Sequence, residues 1–286
     1  MAAQERLRAL GARGGAFFTS DLSVNEFLLG RQAGFEPLTQ VMGSCFYHVG
    51  WQWLPGSTVG WGGGGGGGMR SFGQGETWEL ETETEAWNEA RRLALGRLTE
   101  EARLAGADAV VGVRLERGEY DWSQGLLEFV ASGTAVRSER FDLGQTPVLS
   151  NLSGQEFAAL FVHGWWPAGL VAGTTVAYIA AGWRQQQAQF GLGGTRYQNQ
   201  EFADFTRGVY DARSQAMLRV SRQAHEFGAH GLLGVQIDHV QREHEVDLGG
   251  AKRRDLIFTF HVLGTAVTEL ARSGKEPPVY VAVPLS

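Results

Sequence analysis

The chain aligns with itself, and that constrains the fold more than any motif does. The stretch DLSVNEFLLGRQAGFEPLTQVMG (21–43) lies over NLSGQEFAALFVHGWWPAGLVAG (151–173) without a gap. It pairs Leu22 with Leu152, Ser23 with Ser153, Glu26 with Glu156, Phe27 with Phe157, Gly34 with Gly164 and Pro37 with Pro167. Further along, GADAVVGV (106–113) answers GAHGLLGV (228–235), and SGTAV (132–136) answers LGTAV (263–267), in the same order. Two related domains are therefore expected at 17–140 and 145–270, between an N-terminal arm (1–16) and a C-terminal tail (271–286).

Local signals agree between the halves. Ser23 with Glu26, and Ser153 with Glu156, are capping boxes: the hydroxyl accepts from a first-turn amide and the carboxylate accepts from the cap's own amide. Each opens a helix of about ten residues that stops near Gly34 or Gly164. The runs after Pro37 and Pro167 are apolar and β-branched, and are predicted to be strands. A long helix follows in each half. One is expected from about Glu79 to Ala105, with Trp87, Ala90, Ala94, Leu98 and Ala102 on its stripe. Acids Glu79, Glu81, Glu83 and Glu85 stand in its first turns, where the helix dipole favours them. The other carries Phe202, Phe205, Val209, Ala212, Ala216, Val220, Ala224 and Phe227 and ends at Gly228. A strand hairpin closes each half, so the fold class is α+β, an antiparallel sheet packed on a long helix.

The polyglycine run GWGGGGGGGMRS (60–71) sits between the first strand and the long helix. A P-loop needs Gly-Lys-Ser/Thr directly opening a helix, and this loop has no lysine. What persists between the halves is Gly-Gly-x-Arg, GGMRS (67–71) against GGTRY (193–197). The extra glycines read as an expansion of a linking loop. Gly67, Gly68 and Arg70, with Gly193, Gly194 and Arg196, are the candidate anion- or ligand-binding residues, because exposed amides beside an arginine near a helix start can hold an anion.

A formal charge of -6 opposes a phosphate backbone, and no basic stripe with interleaved aromatics is present, so nucleic-acid binding is not expected. Lys252-Arg253-Arg254, the basic triplet, reads as a solvated hairpin tip. One cysteine, Cys45, suits a reducing compartment, and the location expected is cytoplasmic. Residues 157–183 contain no Asp, Glu, Lys or Arg and are long enough to span a bilayer. Their counterpart in the first half carries Arg31 and Glu36, so a short helix and a buried strand are expected instead of a membrane span.

The run EARLAGADAVVGVRLE followed by EFVASGTAVR, preceded by a Gly-Gly-x-Arg-Ser loop and an amphipathic helix, resembles the YbjQ family, which carries a heavy-metal-binding label. The resemblance covers about Val41 to Arg137, and more weakly about Val171 to Val267. It implies tandem dodecin-like β-α-β-β domains and self-association into a homopentamer, or a decamer-like pair of rings. Single-domain members lack the duplication, the leading helices and the polyglycine.

A metal site needs convergent Cys or His ligands. His239 and His261 are the pair expected to meet across the second hairpin, with a divalent metal as the one cofactor left open and no other cofactor expected. Period two places Cys45 and His48 on opposite faces. No G-x-S-x-G elbow, H-E-x-x-H or proton-sharing acid pair is present, so the chain is expected not to be an enzyme. Trp51, Trp165, Trp166 and Trp183 are the candidate interface residues, since aromatics are favoured where proteins meet. The function expected is a homo-oligomeric, ring- or shell-forming binding or scaffold protein. The alternatives are a metal- or small-ligand-binding protein with sites between subunits and, further off, a membrane-associated assembly through 157–183.

Overall fold

A computed structural model of the chain describes residues 18–51, 54, 76–119, 125–138, 140, 146–182, 199, 201–247 and 252–269. The first half contributes α1 (Val24–Ala33), β1 (Phe35–His48), β2 (Thr77–Glu79), α2 (Glu81–Leu104), β3 (Ala109–Glu119) and β4 (Leu126–Ser138). The second contributes β5 (Val148–Leu149), α3 (Gly154–Val162), β6 (Trp165–Ile179), α4 (Ala203–Glu226), β7 (Gly231–Asp247) and β8 (Lys252–Glu269). The fold is α+β, as expected.

Both capping boxes form. Ser23 accepts from the Glu26 amide while the Glu26 carboxylate accepts from the Ser23 amide, and Ser153 with Glu156 repeats the arrangement. Gly34 closes α1 in the left-handed region at φ 91°, where a Cβ would be strained. The apolar run 157–183 divides between α3 and β6 over its described part, and no described helix is long and apolar enough to cross a membrane.

There are two four-stranded sheets among the described residues, ordered β1-β4-β3-β5 and β2-β6-β8-β7. Each is built on three antiparallel strands of its own half, β1-β4-β3 or β6-β8-β7, with the last strand of the half in the middle. Register shifts recur at matching places, between Pro37 and Thr39 and between Pro167 and Gly169. A second matching pair falls between Val111 and Arg114 and between Leu233 and Gln236, where Gly112 and Gly234 have positive φ. Each long helix lies on its own sheet through a glycine. A Cβ on Gly43 would stand 2.1 Å from the Ala94 carbonyl oxygen, and one on Gly173 2.7 Å from that of Ala216. Alanines at these contacts on the two helices complete the close approach.

The fourth strand of each sheet comes from the other half. β5 runs parallel to β3, and β2 runs antiparallel to β6. Glu79 therefore ends a strand instead of opening the helix, a correction to the expected helix start, and α2 begins at Glu81. The hydrophobic clusters follow the exchange. One joins Trp87, Leu98 and Phe129 to Val176, Tyr178 and Ile257; another joins Phe35, Val111 and Val136 to Leu152, Phe157 and Phe161. Apolar burial, worth roughly 25 cal/mol per Å², thus holds the two halves to each other as well as closing each one.

Candidate functional site

The seam between the halves carries a connected set of buried polar contacts. Arg91 is buried on the apolar stripe of α2, where Trp87 and Ala94 flank it one turn away on either side. Its Nη1 donates to Thr174 Oγ1 at 2.7 Å, and its Nη2 donates to the Ala172 carbonyl at 3.0 Å and to Asn88 Oδ1 at 2.5 Å. Asn88 in turn accepts from the Thr174 amide and donates to the Thr174 carbonyl. Thr84 Oγ1 accepts from the Val176 amide, and the Leu80 amide donates to the Val176 carbonyl. One face of α2 therefore satisfies the outer edge of β6 where β2 stops. Desolvation, with Arg219 as a neighbouring charge, brings the Arg91 pKa down to about 10, so the group remains a cation.

His261 extends this chain. Thr174 Oγ1, which accepts from Arg91, lies within hydrogen-bond distance of His261 Nδ1 at 3.0 Å. Trp87 meets the imidazole edge to face at 5.1 Å. A cavity of about 120 Å³ opens beside it, lined by Arg91, Arg117, Phe129, Gln236, Asp238 and His261 among others. Arg117 pairs with Asp238 across its wall, while Arg242 pairs with Glu83 and Arg219 with Glu79 farther along the seam. A wider cleft of about 960 Å³ lies between α2 and α4, with Arg92, Arg222, Glu85 and Glu226 on its walls.

Burial, with Arg117 and Arg91 close by, pushes the His261 pKa from 6.5 down to about 2. The folded protein keeps the ring neutral, while the unfolded chain protonates it near pH 6.5. The stability from this difference is fully present above pH 6.5 and is lost as pH falls toward 2. At pH 5 the loss amounts to about 2 kcal/mol. His261→Gln is expected to remove it, so that urea unfolding at pH 7 and pH 5 shows a stability difference smaller by about that amount than in the parent chain. An unchanged difference contradicts the buried neutral assignment.

The proposed histidine pair does not converge. His261 stands opposite Asp238 in the β7–β8 register, so His239, one residue on, projects from the other face. There it stacks on Phe258 at 5.1 Å. Cys45 is buried in the core behind β1 and His48 is exposed. Among the described residues no group of three His, Cys, Asp or Glu side chains could hold a metal ion, and the one buried histidine has two guanidiniums for neighbours. These residues do not fit a heavy-metal centre.

Of the aromatic candidates, Trp51 is exposed, while Trp165 and Trp166 open β6, half-buried against the cluster that joins the halves. Trp166 meets Phe161 edge to face at 5.0 Å. Trp183, and the glycine and arginine candidates Gly67, Gly68, Arg70, Gly193, Gly194 and Arg196, lie outside the described residues. The basic triplet is corrected: Lys252 and Arg254 are exposed, but Arg253 is buried and pairs with Asp255 at 2.6 Å. Tyr178 Oη donates to the same carboxylate at 2.5 Å, and the Ala181 amide donates to its other oxygen.

A model of the YbjQ family, described as "Putative heavy-metal-binding", matches residues 59–139. The encapsulin nanocompartment protein Rv1762c of Mycobacterium tuberculosis is 39% identical over 225 residues, which is 76% of this chain and 76% of that protein. The chain belongs to the YbjQ family. Shorter YbjQ-type relatives match in part: a UPF0145 protein of Clostridium perfringens is 43% identical over 58 residues, 20% of this chain and 53% of that one. The UPF0145 protein PTO0347 of Picrophilus torridus is 38% identical over 91 residues, 32% of this chain and 73% of that one. In this YbjQ chain the matched half supplies α2, whose Arg91 and Trp87 make the seam. Arg91 was legible only as a charge on an otherwise apolar stripe, and that irregularity was the available signal.

Proposed function

We propose that this protein is a non-enzymatic scaffold subunit that self-associates into a closed ring or shell in the cytoplasm. The observation that carries the reading is similarity over most of the chain to a protein whose name places it in a nanocompartment. The surface supports it. Met42, Phe46, Tyr210, Leu218, Ile237 and Val240 are large apolar side chains left exposed on strands and a helix, the kind of surface that marks protein contacts. The polar seam also supports it, since its buried groups bind one another and hold the halves together. On this reading the chain is a tandem of dodecin-like domains, 17–140 and 145–270, each standing where a single-domain relative would stand. Five chains would then supply ten domains to a ring or a stacked pair of rings.

Light scattering on the untagged protein as it elutes from a sizing column tests the reading. The expected mass is a whole multiple, greater than one, of 31.1 kDa. A particle of one chain at micromolar concentration contradicts it.

A further inference from the structure

Resting on the self-assembly reading, we infer that chains join head to tail by repeating between molecules the contact that the two halves make within one. The two faces of the seam each have a counterpart elsewhere on the surface, and among the described residues both counterparts keep large apolar side chains exposed.

On the receiving side, β6 is roofed by α2 and β2: Val176 is 0% exposed and Ala172 is also buried. The self-alignment places Phe46 and Met42 of β1 at these positions. Phe46 is 59% exposed and Met42 is exposed beside it. On the covering side, Leu80 caps α2 and is 1% exposed; Phe202 caps α4 in the same backbone conformation and is 37% exposed. Asn88, which holds Thr174, corresponds to the exposed Tyr210 on the other 24-residue helix. The strand edges repeat the pattern. Val113 of β3 is 1% exposed under the 148–152 segment, and its counterpart on β7, Val235, is 39% exposed.

The segment that would cover β7 is also in place. Residues 148–152 run along β3, with the Gly112 and Val113 amides donating to Leu152 and Ser150 carbonyls. Meanwhile Ser150 and Asn151 are pinned to Thr265 of their own sheet. Residues 20–22 are pinned in the same manner to Thr134 by Ser20 and Asp21. They are therefore held as Ser150 and Asn151 are held, ready to lie along the β7 edge of a second copy. Exposed strand edges of this kind recruit another strand. Charge matches too: Arg219 pairs with Glu79 across the seam, and the counterparts are Arg97 and Glu201, both exposed and of opposite sign. Because the two faces differ, the contact is heterologous and each chain offers one of each.

The test uses full-length chains altered on one face only. Phe46→Glu spoils the receiving face and Ile237→Glu the covering face; both positions are exposed, and circular dichroism checks the fold. Each variant alone is expected to fall from the assembled mass to 31.1 kDa. Mixed in equal amounts, the two are expected to form a particle of two chains, because one intact contact remains between them. As a second measurement, Phe46→Cys and Phe202→Cys chains are oxidised as a mixture. A covalent dimer is expected, since the corresponding Val176 and Leu80 are joined by a backbone hydrogen bond of 2.8 Å. Variants that keep the assembled size, or a mixture that stays monomeric and unlinked while the parent chain assembles, overturn the head-to-tail contact but leave the scaffold reading standing. A monomeric parent chain overturns both.

Discussion

Asp255→Ala is expected to cost the protein about 3–5 kcal/mol, the range for breaking a buried ion pair by removing one partner. The carboxylate is fully enclosed and serves three donors: Arg253 at 2.6 Å, the Tyr178 hydroxyl at 2.5 Å and the Ala181 amide at 2.9 Å. Truncation takes a charged acceptor away from a guanidinium, a hydroxyl and an amide in a buried site, where each lost bond costs more than it would at the surface. The same carboxylate, together with burial, raises the Tyr178 pKa well above the usual phenol range, burial being the larger cause. Urea unfolding of the variant checks the loss. The double variant Arg253→Met, Asp255→Leu is expected to recover much of it, since an apolar pair of similar volume removes the orphaned charge. A single-variant loss below about 1 kcal/mol would show the pair to be solvated.

Trp87→Ala is the second large effect, about 3–5 kcal/mol by analogy with buried aromatic truncations. Trp87 is almost wholly enclosed and meets Phe129 of its own half at 5.4 Å and His261 of the other at 5.1 Å. Its removal opens a void at the point where both halves share one cluster, so the loss belongs to the seam as well as to the first core. Trp87→Phe is expected to keep more than half of the stability, because it retains an aromatic body at the contact. Calorimetry distinguishes the origins: loss at the seam splits one cooperative transition into two, whereas loss within the first core alone shifts a single transition downward.

Much of the fold was legible because its signals are local. A capping box needs only Ser23 and Glu26, or Ser153 and Glu156, three residues apart, and both formed. The long helices followed from stripes such as Ala212, Ala216, Val220 and Ala224. The short strands β2 and β5 were missed because a strand of two or three residues has no period to read, and the partner of each lies in the other half. Glu79 was misplaced for that reason: alternating acids satisfy a helix start as well as a strand.

The burial of Arg253 and Asp255 was readable in principle. Strand alternation puts them on one face with Ile257, but the run of three basic residues outweighed that pattern. The failure of His239 and His261 to converge was also a matter of register, since facing residues are set by the Gly234 bulge and no sequence spacing reports it. The seam itself was hidden because its polar groups, Thr84, Asn88, Arg91 and Thr174, are ordinary surface residue types that become interior only when the halves meet.

The measurement that bears most directly on the scaffold reading is a native mass spectrum of the untagged protein, since one spectrum gives the number of chains and any mass beyond them. The expected result is a whole number of chains greater than one, five or ten for a ring or stacked rings, with no stoichiometric metal or organic excess. A spectrum of single chains, or an assembly whose excess mass equals one metal ion per chain, would contradict it.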